Sequence, residues 1–106
     1  MYVTICQNIL GASLRLHFRD KHARELYKTG KSSRYPQDII PRILMKLDSM
    51  ASAEVLDDLR SPPSNHLESL RGDLKGYFSI RVNNQYRIIF KATDEAFLDI
   101  VIYDYH

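Results

Sequence analysis

The sequence predicts an α+β fold: two N-terminal helices packed on a small, mainly antiparallel sheet. Three observations carry this. At 106 residues the chain can own a modest core and is short for two domains, so 1–106 is expected to be a single domain. With 44% hydrophobic and 26% charged residues it has the composition of an ordinary globule, unlike a disordered or membrane-embedded chain. The spacing of apolar residues also changes midway, from threes and fours before the prolines at 62 and 63 to alternation after them.

The elements follow in order. Leu14, Leu16 and Phe18 alternate with Arg15, His17 and Arg19, the pattern of a half-buried strand. DKHARELYKTG starts a helix at Asp20 and stops it at Gly30, with Lys28 and Lys31 at the negative end of its dipole. KSSRYP is a loop. From Gln37 to about Ala53, the residues Ile39, Ile40, Ile43, Leu44, Leu47 and Met50 form the stripe of an amphipathic helix, in which Pro41 fits only near the first turn. Val55, Leu56 and Leu59 add a short helical turn, ended by RSPPSN. Beyond it, HLESLRGDLKG gives a short strand and turn. YFSIRV, YRIIFK and FLDIVIY give three strands joined by turns at NN and ATDEA. A meander of this kind is antiparallel, with helices on one face and the other face open for function.

Charge is uneven along the chain. Residues 1–35 hold seven basic and two acidic groups, 36–60 three and five, 61–93 five and two, and 94–106 none and four. Two basic blocks around an acidic helix suit a surface that meets phosphates on one side. Cys6, the one cysteine, cannot form an internal disulfide and reads as a small apolar residue in a reducing, cytoplasmic compartment. The opening MYVTICQNILGAS lacks the basic leader of a secretory signal, and no stretch is apolar enough to span a bilayer.

Common chemistries find no match: there is no Gly-rich phosphate loop, no GxSxG turn and no paired CxxC. His17 and His22, five apart across a strand-to-helix junction, are poorly spaced for a metal, so neither metal nor cofactor is expected. What remains in the meander is a set of acids, bases and cations: Glu68, Arg71, Lys75, Arg81, Arg87, Tyr105 and His106. Such a set can cleave RNA without metal, because the ribose 2′-hydroxyl is a nucleophile that the substrate itself supplies.

The stretch NHLESLRGDLKGYFSIRVNNQYRIIF, followed by a short loop and a final DYH, resembles the plasmid-maintenance killer proteins, the HigB branch of the RelE superfamily of type II toxins. The likeness runs from about Phe18 to His106 and leaves residues 1–13 as a possible extension. It implies a microbial-RNase-like fold, ribosome-dependent cutting of messenger RNA in the A site with inhibition of translation, and neutralisation by a helix-turn-helix, HigA-like antitoxin. DNA would be met only through the antitoxin complex, and a membrane not at all. The alternative is a catalytically inactive RelE-like module that binds such an antitoxin.

Carried over residue by residue, the resemblance makes Glu68 the general base, at the place where some HigB toxins have a histidine, with His66 as the alternative. Arg87 falls where related toxins bind the scissile phosphate, and Arg71 where they carry a lysine near it. Tyr105 and His106 are the candidate general acids and stacking groups. Lys75 and Arg81 are expected to contact RNA, with Asp104 beside them chiefly as an orienting group.

Hairpin geometry separates two possibilities. A two-residue turn at Asn83-Asn84 would put Arg81 and Arg87 on opposite faces and make Arg87 a partly buried strut. A three-residue loop would set the two arginines across from each other on one face. Glu68 and His66 share a parity if both lie in the strand. Leu98, Ile100 and Ile102, alternating with Asp99, Val101 and Tyr103, should anchor the last strand.

Overall fold

The computed structural model describes residues 15–104. Strand β1 (Leu16–Phe18) leads into helix α1 (Lys21–Thr29), and a 3-10 turn (Gln37–Ile39) runs straight into helix α2 (Ile40–Ser52). Two 3-10 turns (Leu56–Arg60 and Pro63–Asn65) precede strand β2 (Glu68–Ser69), and a third (Gly72–Leu74) follows it. Strands β3 (Phe78–Arg81), β4 (Tyr86–Ala92) and β5 (Phe97–Asp104) complete one five-stranded sheet in the order β1-β5-β4-β3-β2.

Local chemistry sets the helix ends. The Asp20 carboxylate accepts from the Ala23 N–H at 2.9 Å, capping α1. Gly30 closes that helix at φ 76°, its N–H reaching the Leu26 carbonyl at 2.7 Å, a left-handed position that side chains other than glycine's strain to adopt. Pro41 sits in the first turn of α2, where no intrahelical hydrogen bond is lost. The helices span residues 21–52 and follow β1 rather than opening the described chain.

The sheet is antiparallel with one exception: β1 runs parallel to β5, pairing Leu16 with Phe97 and Phe18 with Ile100. A parallel pair needs a long crossover, which the two helices and the meander supply. On one sheet face Ile80, Val82, Ile88, Phe90, Phe97, Ile100 and Ile102 pack against Ala23, Leu26, Ile43, Leu47 and Met50 from the helices. Leu59 joins this core from its 3-10 turn, whereas Val55, expected beside it, is exposed.

Two registers depart from simple alternation. At the β3–β4 hairpin Arg81 pairs with Arg87, and Val82 N–H reaches the Tyr86 carbonyl, leaving a loop of Asn83, Asn84 and Gln85. The Asn83 side-chain oxygen holds this loop by accepting from the N–H groups of Gln85 (2.8 Å) and Tyr86 (2.7 Å). In β5 a bulge interrupts the ladder opposite Phe90, with Asp99 at φ 53°. Ile100 and Ile102 are buried as the alternation predicts, but the bulge shifts parity, so Phe97 rather than Leu98 enters the core.

Candidate active site

The three-residue loop decides which side chains meet. Counting from the Arg81–Arg87 pair, Ser79, Arg81, Arg87 and Ile89 share the sheet face turned away from the helices, joined by Glu68 opposite Ser79 and Tyr103 opposite Arg87. The two-residue reading, which would have buried Arg87 on the helix side, is therefore corrected. Phe78 and Ile80 lie on the opposite face from Arg87.

Arg87 is the centre of this face. Its side chain is only 11% exposed, and its Nε donates to the Ser79 hydroxyl at 2.9 Å. Its Nη2 donates to the backbone carbonyl of His66 at 2.8 Å and lies 3.6 Å from the Glu68 carboxylate. Ser79 is completely buried beneath it. A guanidinium anchored at two points of its fork by neutral acceptors loses its rotational freedom and holds its planar fork in a fixed orientation beside the Glu68 carboxylate. Glu68 is more than half exposed, so its carboxylate reaches solvent beside the guanidinium.

A hollow of about 280 Å³ opens against Arg87, lined also by His66, Arg81, Asn83 and Asn84. Arg81 donates to the Asn84 side-chain oxygen, which holds it on the rim. His66 precedes β2 in a left-handed conformation (φ 46°), so the shared strand parity expected for it and Glu68 does not apply. Its carbonyl positions Arg87, and the residue itself lines the hollow.

The other expected site residues are placed as follows. Arg71 and Lys75 are exposed on the loop after β2, flanking the Gly72–Leu74 turn, and neither side chain hydrogen-bonds to another described residue. Asp104 pairs opposite Tyr86, hence on the helix side of the sheet, and accepts from Gln85 Nε2 at 3.2 Å; the structure does not bring it to Arg87. Tyr105 and His106 lie outside the described residues, as does Cys6. Among the described residues, no three His, Cys, Asp or Glu side chains are grouped to hold a metal ion, and no helix is long and apolar enough to cross a membrane.

Sequence reasoning missed two participants. Ser79 is legible only through its pairing with Ile89, once the hairpin register is known. Lys46 lies between Ile43 and Met50 on the apolar stripe of α2, three residues from one and four from the other, and that spacing was the available signal that it is buried.

The helix-backed, mainly antiparallel sheet is the fold of the YoeB- and YafQ-type structures. The solved structures agree: the YoeB–YefM complex of Staphylococcus aureus aligns at a TM-score of 0.58 with 23% identity, covering 87% of this chain and 95% of that one. A YafQ variant from E. coli aligns at 0.52 with 16% identity, covering 84% and 90%. More narrowly, residues 16–106 match the model of the RelE-like toxin of type II toxin-antitoxin system HigB, and the chain belongs to that family. Toxin HigB-1 of Vibrio cholerae serotype O1 is 41% identical over 87 residues, covering 81% of this chain and 92% of the relative. An uncharacterized protein of Haemophilus influenzae is 44% identical over 78 residues, covering 73% and 77%.

Proposed function

We propose that this chain is a ribosome-dependent endoribonuclease that cuts messenger RNA in the A site and so halts translation. The observation that carries the reading is the anchored Arg87, which lines a hollow of about 280 Å³ and has the Glu68 carboxylate 3.6 Å from its Nη2.

In this mechanism a ribose 2′-hydroxyl attacks the adjacent phosphorus while Glu68 takes its proton, with His66 as the alternative base. The P–O5′ bond breaks, and the leaving oxygen receives a proton from Tyr105 or His106. The products are a 2′,3′-cyclic phosphate and a 5′-hydroxyl. Arg87 faces the equatorial oxygens of the phosphorane, where charge builds up in the transition state. Arg71 is the nearby cation in the loop after β2. Lys75 and Arg81 hold flanking backbone, and Asp104 orients the end of β5. The protein works in the cytoplasm, as ribosome-bound substrate requires. A helix-turn-helix antitoxin neutralises it, and DNA is reached only through that complex.

Purified protein incubated with translating ribosomes is expected to cut the message, and Arg87→Ala is expected to abolish cutting with circular dichroism unchanged. Wild-type protein that is folded, leaves the message intact and does not arrest growth on induction would instead support an inactive, antitoxin-binding module. Cutting of naked RNA at the same rate would remove the ribosome requirement.

A further inference from the structure

A second groove, about 580 Å³, adjoins the hollow at Arg87 and shares Arg81, Asn83 and Asn84 with it. Its far wall is α2, which contributes Arg42, Met45 and Lys46. Lys46 is unusual there. The residue is only 7% exposed, yet among the described residues no carboxylate lies within ion-pair distance of it. Its ammonium donates to the side-chain oxygen of Asn65. Asn65 is fully buried and fixed by its own amide, which donates to the carbonyls of Leu59 (3.0 Å) and Ser61 (3.4 Å). Arg42 reaches across the groove to the Val82 carbonyl at 3.5 Å.

A lysine held against a neutral amide and facing a second cation lacks the counter-charge that normally offsets burial. Desolvation first, and Arg42 second, push its ammonium below the usual lysine range. An anion entering the groove would oppose both effects by favouring the charged ammonium. Asp38 lines a smaller hollow that shares Arg42 and Asn83 with this groove. Met45, 54% exposed, adds an apolar surface on which a ribose or base can rest.

We propose that Arg42, Lys46 and Arg81 form a second phosphate subsite, which holds a backbone phosphate of the bound RNA flanking the one at Arg87. Continuity with the hollow favours nucleic acid over an acidic peptide, because a single strand seated at Arg87 passes directly along Arg81 into the groove. The assignment rests on the RNA-cutting reading for its ligand, but it makes a separate claim about binding.

A single-stranded oligonucleotide with 2′-fluoro riboses, which cannot be cut, provides the test. Its affinity is measured against salt for wild type, Arg42→Gln, Arg42→Gln/Lys46→Met and Arg87→Gln, and the Lys46 ammonium is titrated by NMR with and without it. Loss of the one phosphate held here should reduce the salt slope by about 0.7, so the double variant should lose about 0.7 and the single variant part of that. Lys46 should titrate at higher pH when the oligonucleotide is bound. Unchanged slopes in the Arg42 variants with an unmoved Lys46, or no binding by wild type, would overturn the subsite. So would an oligoglutamate peptide that moves Lys46 where the oligonucleotide does not, because the groove would then belong to a protein partner. Wild-type protein that binds the oligonucleotide through the groove yet cuts no message would uphold the subsite and remove the nuclease reading.

Discussion

Arg87 is held in place before any ligand arrives. Its Nε rests on a buried serine and its Nη2 on a backbone carbonyl, so binding an anion costs little reordering of the side chain. Arg87→Lys keeps the charge but loses the planar fork, and single-turnover cutting of ribosome-bound message should fall about 100- to 1,000-fold. Glu68→Gln should cost about 100- to 10,000-fold in the same assay if Glu68 is the base. A near-normal rate for Glu68→Gln together with a large loss for His66→Ala would transfer that role to His66. Ser79→Ala should cost about 1 kcal/mol in urea unfolding and slow cutting less than Arg87→Lys does, since it loosens the guanidinium without removing it.

At the scale of elements, Asp20→Ala should destabilise the fold by about 1 kcal/mol, because the Ala23 N–H loses its acceptor; urea denaturation measures this directly. That cap was legible in the sequence, as were the Gly30 stop, the Pro41 start and the stripe of α2, because each is a local signal read over three or four residues. The functional face was legible only in part. Glu68 and Arg87 came from family likeness, and their meeting on one face depends on a loop one residue longer than the Asn83-Asn84 pair suggests. Asn83 lengthens it by using its side chain as the acceptor for two backbone N–H groups, an interaction that alternation cannot reveal. The Asp99 bulge was hidden for a similar reason. FLDIVIY fits an unbroken strand, and only the partner strand fixes where the extra residue goes. Asp99 accepts from the Tyr77 hydroxyl at 3.0 Å, and Lys91 of β4 lies 4.9 Å from the centre of that ring, so the bulge is tied to the residue preceding β3, 22 positions away in sequence.

For the whole molecule, alkali is a revealing probe. Tyr35 is buried, and burial first, then Asp20, pushes its hydroxyl up to about 12. Because the folded value lies above the unfolded 10.0, the stability that Tyr35 contributes is fully present below pH 10 and is lost as pH climbs toward 12. Tyr27 is raised in the same direction, by burial and then Asp48. Lys46 acts in the opposite sense, since folding disfavours its charged form and that cost fades as pH approaches 10.5. Denaturation midpoints from pH 9 to 12 should therefore fall less steeply in Tyr35→Phe than in wild type, by up to about 2 kcal/mol in stability. Parallel curves for the two proteins would show that Tyr35 ionises without resistance.

The strand order has a consequence for synthesis. β5, the last strand described, lies inside the sheet between β1 and β4, and it carries Phe97, Ile100 and Ile102 into the core. Until those residues have left the exit tunnel, β1 has no neighbour and β4 lacks one side, so the sheet closes only after β5 has been made.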